Sequence, residues 1–359
     1  MTNTPPHETA MYRTMHGQPE QLRRLLEHGW EPVEEAASRL GGVRRLFLVG
    51  IGTSYHAALA GEWMLRSIGV DARAVSSPDF ADYADAYPLR QDDGVVILAH
   101  SGVKTASSHA LARALAQGAS VVSVGSLTAE HPGSPLVLRT VERETSAAYT
   151  ASHTAAMFVL AQLATRLAGT TAPAQAPVYQ RALEGVPDQV ADVLRREAEI
   201  EPVARASARR LIYAAGAGPS AVSALEVVIK VREAARAHID GLPLEQFLHG
   251  PLVVVNKEDF GVLVNPPGAN PASTRRTGEI AGVLTRIGTP LWIAGEPVAQ
   301  APDATVFALP ELPEPLSTIV SVVPMQILAN QLATVLGADP DRFRREDPVY
   351  AEALGSLTL

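Results

Sequence analysis

The sequence predicts an α/β protein whose parallel sheets are flanked by helices, and three observations support this. Short apolar runs that end near glycine alternate with segments whose apolar residues recur at helical spacing. A Gly-x-Gly-x-Ser turn follows an apolar run twice, with its serines at Ser54 and Ser220, 166 residues apart. At 359 residues, the chain is long enough for two domains. We therefore expect two similar α/β halves.

The first half follows a helical N-terminal segment. Apolar residues recur at helical spacing over 19–40, so residues 1–40 are interpreted as this segment. Strands are predicted at 44–50, 94–100 and 119–125, and helices at 54–69 and 105–118. Because buried strands that alternate with helices form parallel sheets, we place the first domain at 41–170.

The second half repeats this design. Residues 168–180 are rich in Ala, Pro and Thr, which favours a linker, so 171–200 are predicted as linker and helix. A strand, the second glycine turn and a helix follow over 211–235, with further strands at 260–266 and 289–295. We therefore predict a second domain at 201–338 and a C-terminal tail at 339–359.

Composition excludes several classes of function. The formal net charge is -8 and there is no dense run of Lys and Arg, so a nucleic-acid or membrane-binding surface is not expected. There are no cysteines, which excludes disulfides, thiolate metal sites and a cysteine-dependent glutaminase in this sequence. The polar N-terminus and the lack of a long apolar run predict a cytoplasmic protein with no membrane segment.

The first glycine turn does not fit a dinucleotide site. A Rossmann fingerprint needs a third glycine where this chain has Tyr55. Ser76 and Ser77 stand near the position of the acid that would bind ribose. A nicotinamide oxidoreductase is therefore disfavoured. The turn is either a plain strand-to-helix bend or a ligand site in which Thr53 and Ser54 contribute hydroxyls.

A second polar turn at 99–107 lies between a predicted strand and a predicted helix. Ser101, the Gly102 amide, Thr105 and Ser107 can surround a phosphate at a helix N-terminus, and Lys104 can add a positive charge. This local arrangement would let an acidic protein bind an anion.

Three segments that occur in order carry a family resemblance. They are "GIGTSYHAALAGEWML", "HSGVKTAS" and "ALEVVIKVREAARAHIDGLPLEQFLHGPL". The chain resembles the double sugar isomerase (SIS) domain family, in particular the isomerase half of glucosamine-fructose-6-phosphate aminotransferases and the stand-alone SIS deaminases and deglycases. The resemblance implies two flavodoxin-like SIS units, a sugar phosphate substrate and a homodimer with shared active sites. It implies no metal or organic cofactor.

The resemblance also implies which residues bind the substrate. The sugar-binding turn corresponds to 52–54, the phosphate loop to 100–105, and a third sugar contact to Thr150. The threonine of that loop corresponds to Thr105 only if one residue is inserted, and otherwise Lys104 takes its place. The implied substrate-binding set is Gly52, Thr53, Ser54, His100, Ser101, Gly102, Lys104, Thr105 and Thr150.

Two residues are implied to be catalytic. Glu233 corresponds to the glutamate that moves a proton between sugar C1 and C2, and His249 to the histidine linked to ring opening. A carboxylate and an imidazole suit these proton transfers. Glu226 and Lys230 precede Glu233 by seven and three residues, so one helix can present all three on one side, with Glu226 read as a structural acid.

The chain departs from the family pattern in ways that affect the expected activity. Ala99 replaces the first serine of the usual Ser-x-Ser-Gly-x-Thr loop, and His100 and Lys104 can replace the lost contact with charge. Gly355 stands where a Schiff-base lysine is expected, and no glutaminase domain is recognised. We therefore expect an isomerase or deaminase of amino-sugar phosphates. Alternatives are glutamine-independent ketose phosphate amination or isomerisation, and a non-catalytic sugar-phosphate binding protein.

Overall fold

The computed structural model describes residues 6–356, which form two units, each built around one five-stranded parallel sheet. One unit comprises residues 17–144, 149–187 and 344–356, and the other comprises residues 6–16, 145–148 and 188–343. The predicted α/β class with two parallel sheets is confirmed.

The strands of the first sheet are β1 (Leu46–Gly50), β2 (Ala72–Ser76), β3 (Gly94–Leu98), β4 (Ser120–Gly125) and β5 (Val137–Arg139). The strands of the second sheet are β6 (Ile212–Gly216), β7 (Ile239–Pro243), β8 (Phe260–Asn265), β9 (Leu291–Gly295) and β10 (Thr305–Phe307). Their orders are β2-β1-β3-β4-β5 and β7-β6-β8-β9-β10, so the second unit repeats the strand order of the first.

The helices up to the second sheet are α1 (Ala10–His16), α2 (Gln18–His28), α3 (Trp30–Leu40), α4 (Thr53–Arg66), α5 (Ser77–Asp82), α6 (Thr105–Ala116), α7 (Ala151–Thr171), α8 (Ala176–Arg195) and α9 (Glu201–Ser207). Those that follow are α10 (Ser220–Ala235), α11 (Leu244–Leu248), α12 (Pro271–Ile287), α13 (Thr318–Leu336) and α14 (Pro348–Gly355). Short 3-10 turns occupy Pro6–Glu8, Glu197–Glu199, Pro251–Val254 and Glu314–Leu316.

The central strands are buried along their whole length, which explains their continuous apolar runs. Every residue of β1, β3, β6, β8 and β9 is buried. Strands of a parallel sheet are covered on both faces, so they do not need to alternate polar and apolar residues. In the first unit, Phe47, Val49, Val95 and Ile97 pack with Phe80 in one such core.

The two glycine turns share two backbone features. Gly52 has φ of 56° and Gly218 has φ of 52°, a left-handed conformation that favours glycine. A Cβ on Gly50 would lie 2.6 Å from the carbonyl oxygen of Ser54, and one on Gly216 would overlap the carbonyl oxygen of Ser220. The predicted repeat is therefore present in the fold as well as in the sequence.

Helix α13 is the most apolar helix of the second unit and packs against α10. The hydroxyls of Ser223 on α10 and Ser321 on α13 are 2.8 Å apart and buried. The segment Glu314–Leu336 is long and apolar enough to cross a membrane, but 78% of its most apolar window is buried inside the protein. Burial of this kind is typical of a core helix.

Some local predictions differ from the structure. Residues 168–180, interpreted as a linker, are mostly helical, because α7 ends at Thr171 and α8 begins at Ala176. Strands β5 and β10 were not predicted, since each has three residues at the edge of its sheet. Strand β7 was not predicted because its sequence, IDGLP, contains glycine and proline. The predicted domain limits stay a prediction.

Candidate functional site

The carboxyl end of the first sheet brings together the glycine turn and two other polar segments. Helix α4 begins at Thr53 directly after β1 and Gly52. The loop after β3 supplies His100, and helix α7 begins at Ala151. Ligands of α/β proteins bind at this end of parallel strands, where helix N-termini also meet.

A small cavity of about 20 Å³ lies between these segments. Its volume is sufficient for about one water molecule. The polar side chains at its wall come from all three segments and from the residue after β5, and they are Thr53, Ser54, His100, Thr140, Tyr149, Ser152 and His153. Of the predicted substrate-binding residues, the cavity therefore brings together Thr53, Ser54 and His100.

His100 is held by its Nε2 atom. This nitrogen accepts a hydrogen bond of 3.2 Å from the backbone N–H of Glu144, which assigns the ring hydrogen to Nδ1. Burial lowers the pKa of His100, although the nearby Glu144 carboxylate partly opposes this. Within residues 6–356, the buried Nδ1 has no hydrogen-bond partner. The ring also packs edge-on against Tyr149, with centroids 5.1 Å apart.

The N-terminus of α7 is organised by the buried carboxylate of Glu144. Its oxygens accept hydrogen bonds from the N–H of Thr150 at 3.0 Å and from the N–H of Ser152 at 2.7 Å. The hydroxyl of Thr150 also donates to Glu144, at 3.2 Å. Thr150 is fully buried, so the cavity wall in this segment is formed by its neighbours Tyr149, Ser152 and His153. Glu144, Ser152 and His153 were not singled out from the sequence.

At least three amides of the predicted phosphate loop are hydrogen-bonded within the protein, including the N–H of Lys104, which donates to Oγ of Ser107 at 2.9 Å. The N–H of Gly102 donates to the carbonyl of Ala99 at 3.1 Å, and the N–H of Val103 donates to the carbonyl of Glu130 at 3.1 Å. Lys104 and Thr105 are exposed, and Ser101 is half-buried. Thr105 begins α6 with φ of 34°, which is uncommon for a β-branched residue. These three residues lie outside the small cavity wall.

In the second unit, helix α10 carries a buried lysine between two carboxylates. The Nζ atom of Lys230 lies 2.7 Å from Oε2 of Glu233 and 3.6 Å from Oε1 of Glu226. Lys230 and Glu226 are fully buried, whereas the side chain of Glu233 is 27% exposed. The predicted arrangement of three groups on one side of a helix is therefore present. The ammonium fixes one oxygen of Glu233 and leaves its carboxylate at the protein surface.

His249 lies at the end of α11 in the same unit. Its backbone N–H donates to the carbonyl of Glu245, and its Nε2 is 3.7 Å from Oε2 of Glu245. The imidazole is 75% exposed. Arg276 donates to Glu245 and keeps the pKa of that carboxyl below its usual value, so Glu245 is ionised beside His249 near neutral pH.

Within residues 6–356, no three side chains among His, Asp and Glu are grouped in a way that would hold a metal ion.

Known proteins are similar to this chain in sequence and in fold. Residues 40–166 match the SIS domain family. The chain is 29% identical over 94% of its length to glutamine-fructose-6-phosphate aminotransferase (isomerizing) from Chlorobaculum tepidum, and 28% identical over 93% to the protein of that name from Thermococcus kodakarensis. It spans 57% and 56% of the lengths of these relatives.

Solved structures share the architecture. The C-terminal domain of glucosamine-fructose-6-phosphate aminotransferase from Francisella tularensis superposes with a TM-score of 0.83 at 19% identity, covering 93% of this chain and 98% of that one. Glucosamine-6-phosphate deaminase from Thermotoga maritima gives 0.73 at 19% identity, covering 93% and 97%. Residues 40–166 therefore match the SIS domain family, and the chain as a whole has the same fold as these solved structures.

Proposed function

We propose that this protein is a phosphosugar isomerase or deaminase that acts on an amino-sugar phosphate, such as glucosamine-6-phosphate or a fructosamine-6-phosphate. The observation that carries the proposal is the Lys230–Glu233 contact of 2.7 Å. A carboxylate that is oriented by a buried ammonium and still reaches the surface is suited to take up and return a carbon-bound proton. The names of the relatives support the substrate class.

The proposed reaction on glucosamine-6-phosphate has four steps. His249 assists ring opening to the free aldehyde. Glu233 removes the proton from C2 and returns it to C1, while a proton of the C2 amine passes to the C1 oxygen; this leaves a hydroxyl at C1 and a C=N double bond at C2. Water adds to C2 and ammonia leaves, so the products are a ketose phosphate and ammonia. Because the substrate supplies its own nitrogen, Gly355 at the position of the family's Schiff-base lysine is compatible with this route.

For a fructosamine-6-phosphate, the proton moves in the opposite direction. Glu233 takes it from C1 and returns it to C2, while the proton of the amine passes to the C2 oxygen, so that the C=N bond forms at C1 and a hydroxyl at C2. Hydrolysis there releases an amine and an aldose phosphate. The same two side chains serve both substrates.

The substrate is proposed to bind through the turn at Gly52–Ser54 and the loop at 100–105. The Nδ1–H of His100 is a buried donor whose Nε2 is already fixed, so it can replace the hydroxyl that Ala99 lacks. Lys104 and Thr105 supply an ammonium and a hydroxyl for the phosphate, and Thr150 supports the α7 N-terminus. The uncommon backbone of Thr105 is in keeping with a ligand-binding role.

A homodimer is part of the proposal. The side chain of His249 is 75% exposed, and Val253 and Val254, close after it, are 85% and 61% exposed. An imidazole and two adjacent apolar residues on the surface are suited to an interface. We place a second copy of the chain over this segment, so that each copy lends His249 to the other. The cytoplasmic location stays a prediction.

Turnover and proton exchange test the proposed chemistry together. Purified protein is incubated with each substrate in D2O, and released ammonia or amine is measured beside deuterium incorporation at C1 and C2 by NMR. Glu233→Gln should reduce both signals by about 10²–10⁴-fold, because the base is lost. Glu201→Gln, in the surface pair with Arg205, is the matched control and should behave as wild type.

Either of two results would reject the mechanism. Full exchange in Glu233→Gln would remove this carboxylate from the reaction. Binding of the sugar phosphates with no exchange in the wild-type protein would instead favour the non-catalytic binding protein.

A further inference from the structure

A second and much larger cavity lies at the β2 edge of the first sheet. Its volume is about 650 Å³, which falls within the range of small-molecule binding sites. It is lined by the residue before β1, by strand β2, by the end of α4 and by residues 86–88 before β3. It shares no lining residue with the small cavity at the carboxyl ends of the strands.

The charged groups of this cavity leave an excess of positive charge. Three guanidinium groups, of Arg45, Arg66 and Arg73, face two carboxylates, of Glu62 and Asp71. Arg45 and Arg73 both contact Asp71 through their Nε atoms, at 3.4 Å and 3.3 Å. One carboxylate is thus shared by two guanidinium groups. The cavity therefore has an excess of positive charge in a protein whose formal net charge is -8.

The second carboxylate has a structural task. One oxygen of Glu62 accepts the backbone N–H of Ala74 on β2 at 3.0 Å, while the other contacts Arg66 at 3.0 Å. Glu62 therefore satisfies a donor at the open edge of the sheet. Its presence in the cavity does not require a cationic ligand.

The guanidinium groups differ in exposure. The side chain of Arg45 is only 16% exposed, and its guanidinium lies 5.5 Å from the centre of the Phe47 ring. The side chains of Arg66 and Arg73 are 61% and 50% exposed, so they can turn toward a ligand. One largely buried arginine beside two exposed ones is suited to an anion that has several terminal oxygens.

The uncharged part of the wall is apolar and aromatic. Phe47, Val75, Tyr87 and Pro88 contribute to it. We propose that this cavity binds a phosphate monoester whose remaining part is planar or apolar, with the phosphate held by Arg45, Arg66 and Arg73. Such a ligand would occupy the protein together with the substrate, because the two cavities are built from different residues.

Calorimetric titration with adenosine 5′-monophosphate tests this site in the full chain, with inorganic phosphate as the second probe. The wild-type protein should bind the nucleotide more tightly than phosphate. The double variant Arg45→Gln/Arg73→Gln should weaken nucleotide binding by at least about tenfold. Asp71→Asn should strengthen it, since the competing carboxylate is gone. Arg39→Gln, in a surface pair with Glu35 of the same unit, is the matched control and should bind as wild type.

Phosphate can also bind the proposed substrate loop, so a further variant separates the two sites. Thr105→Ala should leave nucleotide binding at the edge cavity unchanged. Absence of nucleotide binding in the wild type would overturn the proposal. Equal nucleotide binding by the wild type and by the Arg45→Gln/Arg73→Gln protein would also overturn it, provided that the two proteins have the same melting temperature. So would phosphate binding to the Thr105→Ala protein as tightly as the nucleotide does.

Discussion

At the scale of single residues, the buried carboxylate of Glu144 determines the geometry of the candidate site. It accepts the N–H groups of Thr150 and Ser152, and its own N–H orients the ring of His100. One residue thus connects the start of α7 to the loop after β3. Side chains of both elements line the small cavity.

Glu144→Ala should lower the free energy of unfolding by about 2–3 kcal/mol, because the first amides of α7 lose a charged acceptor inside the protein. Chemical denaturation measures the change. Glu142→Ala, two residues away and exposed, is the control and should change it by less than about 0.5 kcal/mol. Equal stability of both variants would contradict the capping role.

His131 couples the stability of the first unit to pH. Burial lowers its pKa from 6.5 to about 4, and the positive charge of Arg139 adds to this shift. The unfolded chain therefore binds a proton more readily than the folded one between pH 6.5 and pH 4. The stability contributed by this residue is complete above pH 6.5 and is lost as the pH falls toward 4.

As the pH falls from 6.5 to 4, the free energy of unfolding of the His131→Gln protein should decrease by about 3 kcal/mol less than that of the wild type. Denaturant titrations at several pH values measure it. The exposed His28→Gln protein should follow the wild-type curve, since that side chain is 74% exposed. If the free energy of unfolding of His131→Gln depended on pH as strongly as that of the wild type, His131 would not be the titrating group.

At the scale of elements, the strand-to-helix turn at the end of β1 depends on Gly50. The backbone of Ser54 lies so close to Gly50 that an added Cβ requires the start of α4 to move. That movement would also displace Thr53 and Ser54 from the small cavity.

Gly50→Ala should destabilise the protein by about 1–3 kcal/mol through overpacking. Gly169→Ala is the matched control, because Gly169 lies in α7 and a Cβ there meets nothing within 4 Å. This control should stabilise the protein by about 0.5–1 kcal/mol. Thermal unfolding compares the two, and the same sign of change for both would refute the packing argument.

Strands and helices with a continuous or periodic buried pattern could be predicted from the sequence. β1 and β3 were predicted because both faces are covered and every residue is apolar or glycine. The helical character of α10, and the grouping of Glu226, Lys230 and Glu233 along it, followed from spacing alone. Glu144 was missed because its role depends on the chain turning back over 145–150, which no periodic pattern indicates. The orientation of His100 depends on a residue 44 positions away.

At the scale of the whole molecule, the proposed exchange of His249 between copies gives a sharp test. Glu233→Gln and His249→Asn proteins are each expected to be inactive. After subunit exchange, half of the dimers contain one chain of each kind, and one of the two sites in such a dimer keeps both groups. Activity should then return to about a quarter of the wild-type value.

Mixing Glu233→Gln with the double variant Glu233→Gln/His249→Asn is the control and should restore nothing. Sedimentation measurements on the same samples report whether dimers form. Dimers that exchange subunits without recovering activity would place His249 and Glu233 of one chain in the same site.

The paired turns at Gly50–Ser54 and Gly216–Ser220 differ in which of their positions can vary. Both keep the backbone path that the strand-to-helix connection requires, yet Thr53 in one corresponds to Pro219 in the other. The connection therefore constrains its glycines and leaves the position before the serine open, so the same turn presents a hydroxyl in one unit and a pyrrolidine ring in the other.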